Sequence, residues 1–161
     1  VRGIVVMGGA LGNSPVHMQD SAYYSQGGAE FNFHYHPQAV HDVFHSGLDI
    51  TMVGLDVANA EACSKHDTEL LTKTEGESVG AAVMRQIVKN FDLAPAYASV
   101  ACFYLVSPES FTTEKRWLDI DPHSGVVTEA LPGKQGAVLV RVALEMRKEY
   151  YFEYLRDLMS E

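Results

Sequence analysis

Two short apolar runs narrow the folds open to this chain. "GIVVMGG" (3–9) and "LDITMVGLDV" (48–57) are rich in β-branched residues and interrupted or closed by glycine. Runs that are apolar without alternation suit strands buried on both faces, as in parallel sheets. Between them, Pro37 opens the helical segment "PQAVHDVFHSG", with Val40, Val43 and Phe44 as its apolar stripe and Gly47 at its exit. A strand, a helix and a second strand in that order predict an α/β class with an open, mainly parallel sheet and flanking helices. Sheets of this kind bind ligands at the carboxyl ends of their strands. Residues 10–29, read as a long loop rich in Gly, Ser, Asn and Tyr, follow the first strand at such an end.

The rest of the chain extends this pattern. Residues 64–91 contain a long helical stretch with Leu70, Leu71, Val83 and Val88 among its inward positions, and Gly76 and Gly80 as points where it can split. "AYASVACFYLV" predicts another helix, stopped at Ser107 because the residue before Pro108 resists the α conformation. "KRWLDID" and "GVVTEALP" predict a hairpin turning at residues 122–125, "AVLVRVAL" a further strand, and "EMRKEYYFEYLRDLMSE" a terminal amphipathic helix. With 161 residues the chain is expected to form a single domain, 1–161.

Charge and cysteine usage exclude several classes. Twelve basic against 21 acidic side chains give a net charge of -9. That argues against a nucleic-acid partner, whose phosphates need clustered Lys and Arg. No apolar run reaches the roughly 18 residues of a membrane span, and no membrane partner is expected. Cys63 and Cys102 lie far apart and outside any CxxC. They are read as reduced core thiols in a cytoplasmic compartment. The chain begins at Val1, one step before a strand, and a cut or processed start is expected.

Three groups of residues invite a chemical reading. His34, His36, His41 and His45 fall within twelve positions, 34–45. Zinc takes three or four such ligands. Yet no HExxH is present, and surface or half-buried imidazoles are the simpler account. In that account His34 and His36 share one face of an extended segment, and His41 and His45 one face of a helix. Glu30 and Asn32 sit two apart and offer a polyol an acceptor and a mixed donor-acceptor; the plainer reading of Glu30 is a helix cap. Asp56 ends a buried strand and is read as a structural cap for the next segment. "MGGALGN" (7–13) lacks dinucleotide spacing and is not read as a phosphate cradle.

Taken together, "IVVMGGALGN" (4–13), "AEFNFHYHPQAV" (29–40), "ITMVGLDV" (50–57), "LVSPESF" (105–111) and "VRVALEMRKEYYFEYL" (140–155) resemble the inosine-uridine preferring nucleoside hydrolase family. The resemblance covers nearly the whole chain but only the C-terminal half of the family's domain. It implies a nucleoside-hydrolase-like fold with a C-terminal hairpin and helix. It also implies an N-ribohydrolase (glycosidase) activity that cleaves the bond between ribose and base through an oxocarbenium-like transition state. By the same resemblance, Glu30 and Asn32 match ribose-binding residues, Met7 lies beside the sugar, and His36 stands where the family has Asp before Pro.

The departures are as informative. The family holds calcium with aspartates, and no DxDxxxDD run occurs here. Ala98 falls where a later calcium Asp is expected, with Tyr97 beside it, and only Ser25 and Gln26 stand near the place of the Asn that precedes "EFN". No catalytic residue, no metal ligand and no calcium are therefore expected for this chain alone. A ribonucleoside or ribose remains the expected ligand. The alternative is a non-catalytic sugar- or partner-binding subunit, and a homo-oligomer is expected to cover the sheet edge left by half a domain.

Overall fold

The computed structural model describes residues 3–11, 28–58, 82 and 97–160. The expected long loop at 10–29 and long helix within 64–91 lie largely outside the described residues.

Five strands form one sheet: β1 (Ile4–Met7), β2 (Ile50–Val53), β3 (Phe111–Ile120), β4 (Val127–Glu129) and β5 (Val138–Met146), in the order β1-β2-β5-β3-β4. β1 and β2 run parallel, as do β2 and β5. β3 pairs antiparallel with both β5 and β4. The sheet is thus open and mixed. Its parallel part is the half built from the apolar runs, and its antiparallel part is the C-terminal hairpin with β5. The hairpin turn is closed by Asp121, whose Oδ1 accepts from the amides of His123 and Ser124 at 2.8 and 2.7 Å.

The helices are α1 (Phe31–Tyr35), α2 (Pro37–Phe44), α3 (Leu55–Ala58), α4 (Tyr97–Val106) and α5 (Lys148–Ser160). Alternation along the strands sends side chains into two cores. Val5, Met7, Val53 and Ala143 meet α3, α4 and α5 on one face, around the fully buried Tyr151. Ile4, Val6, Ile50, Met52, Val140 and Val142 meet Phe33 and Phe44 of α1 and α2 on the other. Covered faces on both sides explain why the parallel strands read as unbroken apolar runs. No helix among the described residues is long and apolar enough to cross a membrane.

Two expectations are corrected. Residues 31–35 are helical rather than extended, because the Glu30 side chain caps them, accepting from the amides of Asn32 and Phe33. Cys102 is a free thiol on the exposed side of α4 rather than in the core. α4 is apolar on every face, so its sequence carries no stripe that marks the inward side.

Candidate functional site

The site is built where β1 and β2 end. Gly8 donates to the carbonyl of Val53 (3.2 Å), and the carbonyl of Gly9 accepts from the amide of Leu55 (2.8 Å), so the exits of both strands are stitched together. Gly9 has φ +74°, and a β-carbon there would lie 3.0 Å from both Met52 Sδ and Phe33 Cε2. A β-carbon on Gly8 would lie 2.3 Å from Phe33 Cε1. The paired glycines therefore open a seat for the Phe33 ring, which is 1% exposed.

Phe33 brings "EFNF" against the strand end, and Glu30 fastens it there. Glu30 is 3% exposed. Its Oε2 accepts from the amides of Gly9 (3.1 Å) and Phe33 (3.2 Å), and its Oε1 from the amide of Asn32 (3.0 Å). Asn32 is exposed, and its Nδ2 donates to Met7 Sδ at 3.3 Å. Met7, Glu30 and Asn32, separated by up to 25 positions, are thus assembled at one strand end. Asp56 belongs to the same end: it lies in the first turn of α3, and its Oδ2 accepts from the amide of Leu11 at 2.7 Å. It ties two strand exits together, a longer-range role than capping its own segment. Tyr97, at the start of α4, packs with Met7 against Ala10 and Leu55.

The loop after β1 therefore presents amides that two of the chain's own carboxylates take up, Gly9 to Glu30 and Leu11 to Asp56. Sequence reasoning missed this part of the site. The signal was available in "MGG", where a glycine directly after a strand end exposes backbone amides for an anion.

His34, His36, His41 and His45 are not gathered into a metal centre. Among the described residues no group of three or more His, Cys, Asp or Glu could hold a metal ion. The rings of His41 and His45 stack with centroids 3.9 Å apart. His45 sets Nδ1 2.7 Å from the carbonyl of His41 and Nε2 2.9 Å from that of Gly136, and the ring N–H of a neutral tautomer donates to one of the two. His34 Nδ1 faces the carbonyl of Ser124 at 3.4 Å. His36 occupies the N-cap of α2 without a side-chain capping bond.

The described residues do not fit calcium either. Ala98 lies exposed in the first turn of α4 and has no ligating atom in its side chain. Glu30 is committed to three backbone amides, and Asp56 Oδ2 accepts from Leu11. Ser25 and Gln26 lie outside the described residues.

Comparison with known proteins places this arrangement. The model of the family described as inosine-uridine preferring nucleoside hydrolase matches residues 1–153. A pyrimidine-specific ribonucleoside hydrolase RihB from Shigella sonnei is 28% identical over 136 residues, covering 78% of this chain and 40% of that protein. The crystal structure of an inosine-uridine preferring nucleoside hydrolase from Bacillus anthracis superposes with a TM-score of 0.78 at 19% identity, over 99% of this chain and 51% of that one. A purine-preferring ribonucleoside hydrolase from Gardnerella vaginalis gives a TM-score of 0.66 at 19% identity, over 96% of this chain and 50% of that one. The chain spans about half the length of these relatives, or less.

Proposed function

Because the chain belongs to the inosine-uridine preferring nucleoside hydrolase family, we propose that the β1 exit is a ribose-binding site for a ribonucleoside, with Met7, Glu30 and Asn32 as its floor. The observation that carries this reading is the contact between Asn32 Nδ2 and Met7 Sδ. It orients an exposed carboxamide at the carboxyl end of a parallel strand, where open α/β sheets take ligands. One amide hydrogen is turned to sulfur. The other N–H and the carbonyl oxygen remain to give and accept one hydrogen bond each with vicinal hydroxyls.

For this chain alone we propose binding without hydrolysis. Cleaving an N-glycosidic bond requires an activated water against an oxocarbenium-like centre. Among the described residues, the carboxylates at the β1 exit are Glu30 and Asp56, and both accept from buried or half-buried backbone amides. Neither is arranged as a general base toward solvent, and no step is routed through a metal. The role that follows is a sugar-binding subunit on a hydrolase scaffold. Asn32→Ala is expected to weaken D-ribose binding about tenfold, the equivalent of one or two hydrogen bonds. An NMR titration with D-ribose reads this directly, and an affinity unchanged by the substitution removes Asn32 from the site.

A second reading, self-association, rests on β1. All four of its residues are partly exposed although all four are apolar, while the four of its parallel partner β2, Thr51 included, are all buried. Among the described residues β1 is the edge of the sheet. An apolar edge of this kind is a template for another strand, and we propose that a second copy of the chain covers it. Sedimentation velocity at micromolar concentration is expected to show a dimer; a clean monomer contradicts the proposal.

A further inference from the structure

Glu30 is bound too thoroughly to the backbone to act only as a sugar contact. A carboxylate offers about four lone-pair positions. Here three are taken by amides from two chain segments, Gly9 on one side and Asn32 and Phe33 on the other. Gly9 is itself fixed by its carbonyl, which accepts from Leu55. The chain of contacts runs from β2 and α3 through Gly9 to the Glu30 carboxylate, and from there to the backbone of Asn32. It closes through the Asn32 side chain on Met7, two residues before Gly9. We infer that Glu30 is a positioning residue: its carboxylate locks the β1 exit to the start of α1, and so holds the Asn32 carboxamide where a sugar hydroxyl meets it.

This inference rests on the ribose reading for its functional half and on the three amide bonds for its structural half. The geometry makes two substitutions separable. In Glu30→Gln the shape is kept, but the side-chain NH2 now opposes one or two backbone donors. Glu30→Asp keeps a carboxylate suited to capping Asn32 and Phe33, yet is one methylene short of Gly9.

The experiment combines amide hydrogen exchange by NMR with D-ribose titration in a double-mutant cycle. In Glu30→Gln exchange is expected to rise at least tenfold at the amides that the NH2 now opposes, either Asn32 or the pair Gly9 and Phe33, whereas in Glu30→Asp the rise is confined to Gly9. Ribose affinity is expected to fall in Glu30→Gln, and adding Asn32→Ala to that variant is expected to lower it less than twofold further, because a displaced carboxamide has little left to lose. Independent contacts would instead give additive losses, and additivity overturns the inference, as does unchanged exchange at all three amides. A merely structural Glu30 lowers thermal stability without breaking additivity. If the unsubstituted chain binds no ribose, the sugar reading fails by itself, and the exchange pattern still decides whether Glu30 holds the three amides. Should Glu30→Gln not fold, Glu30→Asp carries the same cycle.

Discussion

Replacing Phe33 with alanine is expected to destabilise the protein by about 4 kcal/mol, within the range found for buried aromatic residues. The ring is enclosed by Gly8, Gly9 and Met52 and lies edge-on to Phe44, with ring centroids 5.6 Å apart. The rigid glycine turn cannot close over the space, so a cavity term adds to the lost transfer energy. For a chain of this size the loss corresponds to a fall in melting temperature of about 10 °C, read by calorimetry or circular dichroism. Phe33→Leu should recover more than half of it, since most of the apolar volume is restored. A loss below about 1 kcal/mol for Phe33→Ala would mean that the ring does not hold α1 on the sheet.

Glu30→Ala is the second large effect, expected at about 3 kcal/mol. The substitution strips three backbone donors of their acceptor, and two of those bonds are buried. A buried donor left without a partner costs more than the bond was worth net, and a charged acceptor strengthens each bond it makes. Denaturant unfolding with an unchanged m-value and a lower midpoint is the expected signature. The double variant with Phe33→Ala should fall short of the sum, because both changes release the same start of α1 from the same loop.

How much of this was legible in the sequence varies with the range of the interactions. β2 was visible because its run is buried on both faces, and β1 and β5 because β-branched apolar residues mark them although both are only partly buried. α2 was visible because Pro37 and Gly47 mark its ends, and Gly47 does adopt a left-handed conformation with φ +78°. The hairpin followed from its turn at residues 122–125. Its first strand nevertheless begins at Phe111, well before "KRWLDID", and β5 continues to Met146, past the point where a helix was expected to begin. The two strands pair along most of that length and share a bulge at Thr112/Thr113, so each extends the other through a ladder that no local pattern announces.

The site was harder to read. Glu30, Asn32 and Met7 stood out through resemblance, but their connections run across up to 25 positions and depend on backbone amides. α1 was hidden for the same reason: five residues are too few for a hydrophobic period, and the helix exists because a side chain just before it satisfies its first amides. The histidine cluster shows the converse. Its spacing suggests ligands, yet His41 stacks on His45 and both His45 nitrogens lie against backbone carbonyls, a local packing role.

The most direct test of the account joins a ribose-binding titration to a reducing-sugar assay on the same folded preparation, with inosine, uridine, adenosine and guanosine, with and without added calcium. The account predicts saturable ribose binding and no release of ribose in any condition. Calcium-dependent ribose release would contradict it, because a catalytic metal site would then exist that the described residues do not supply.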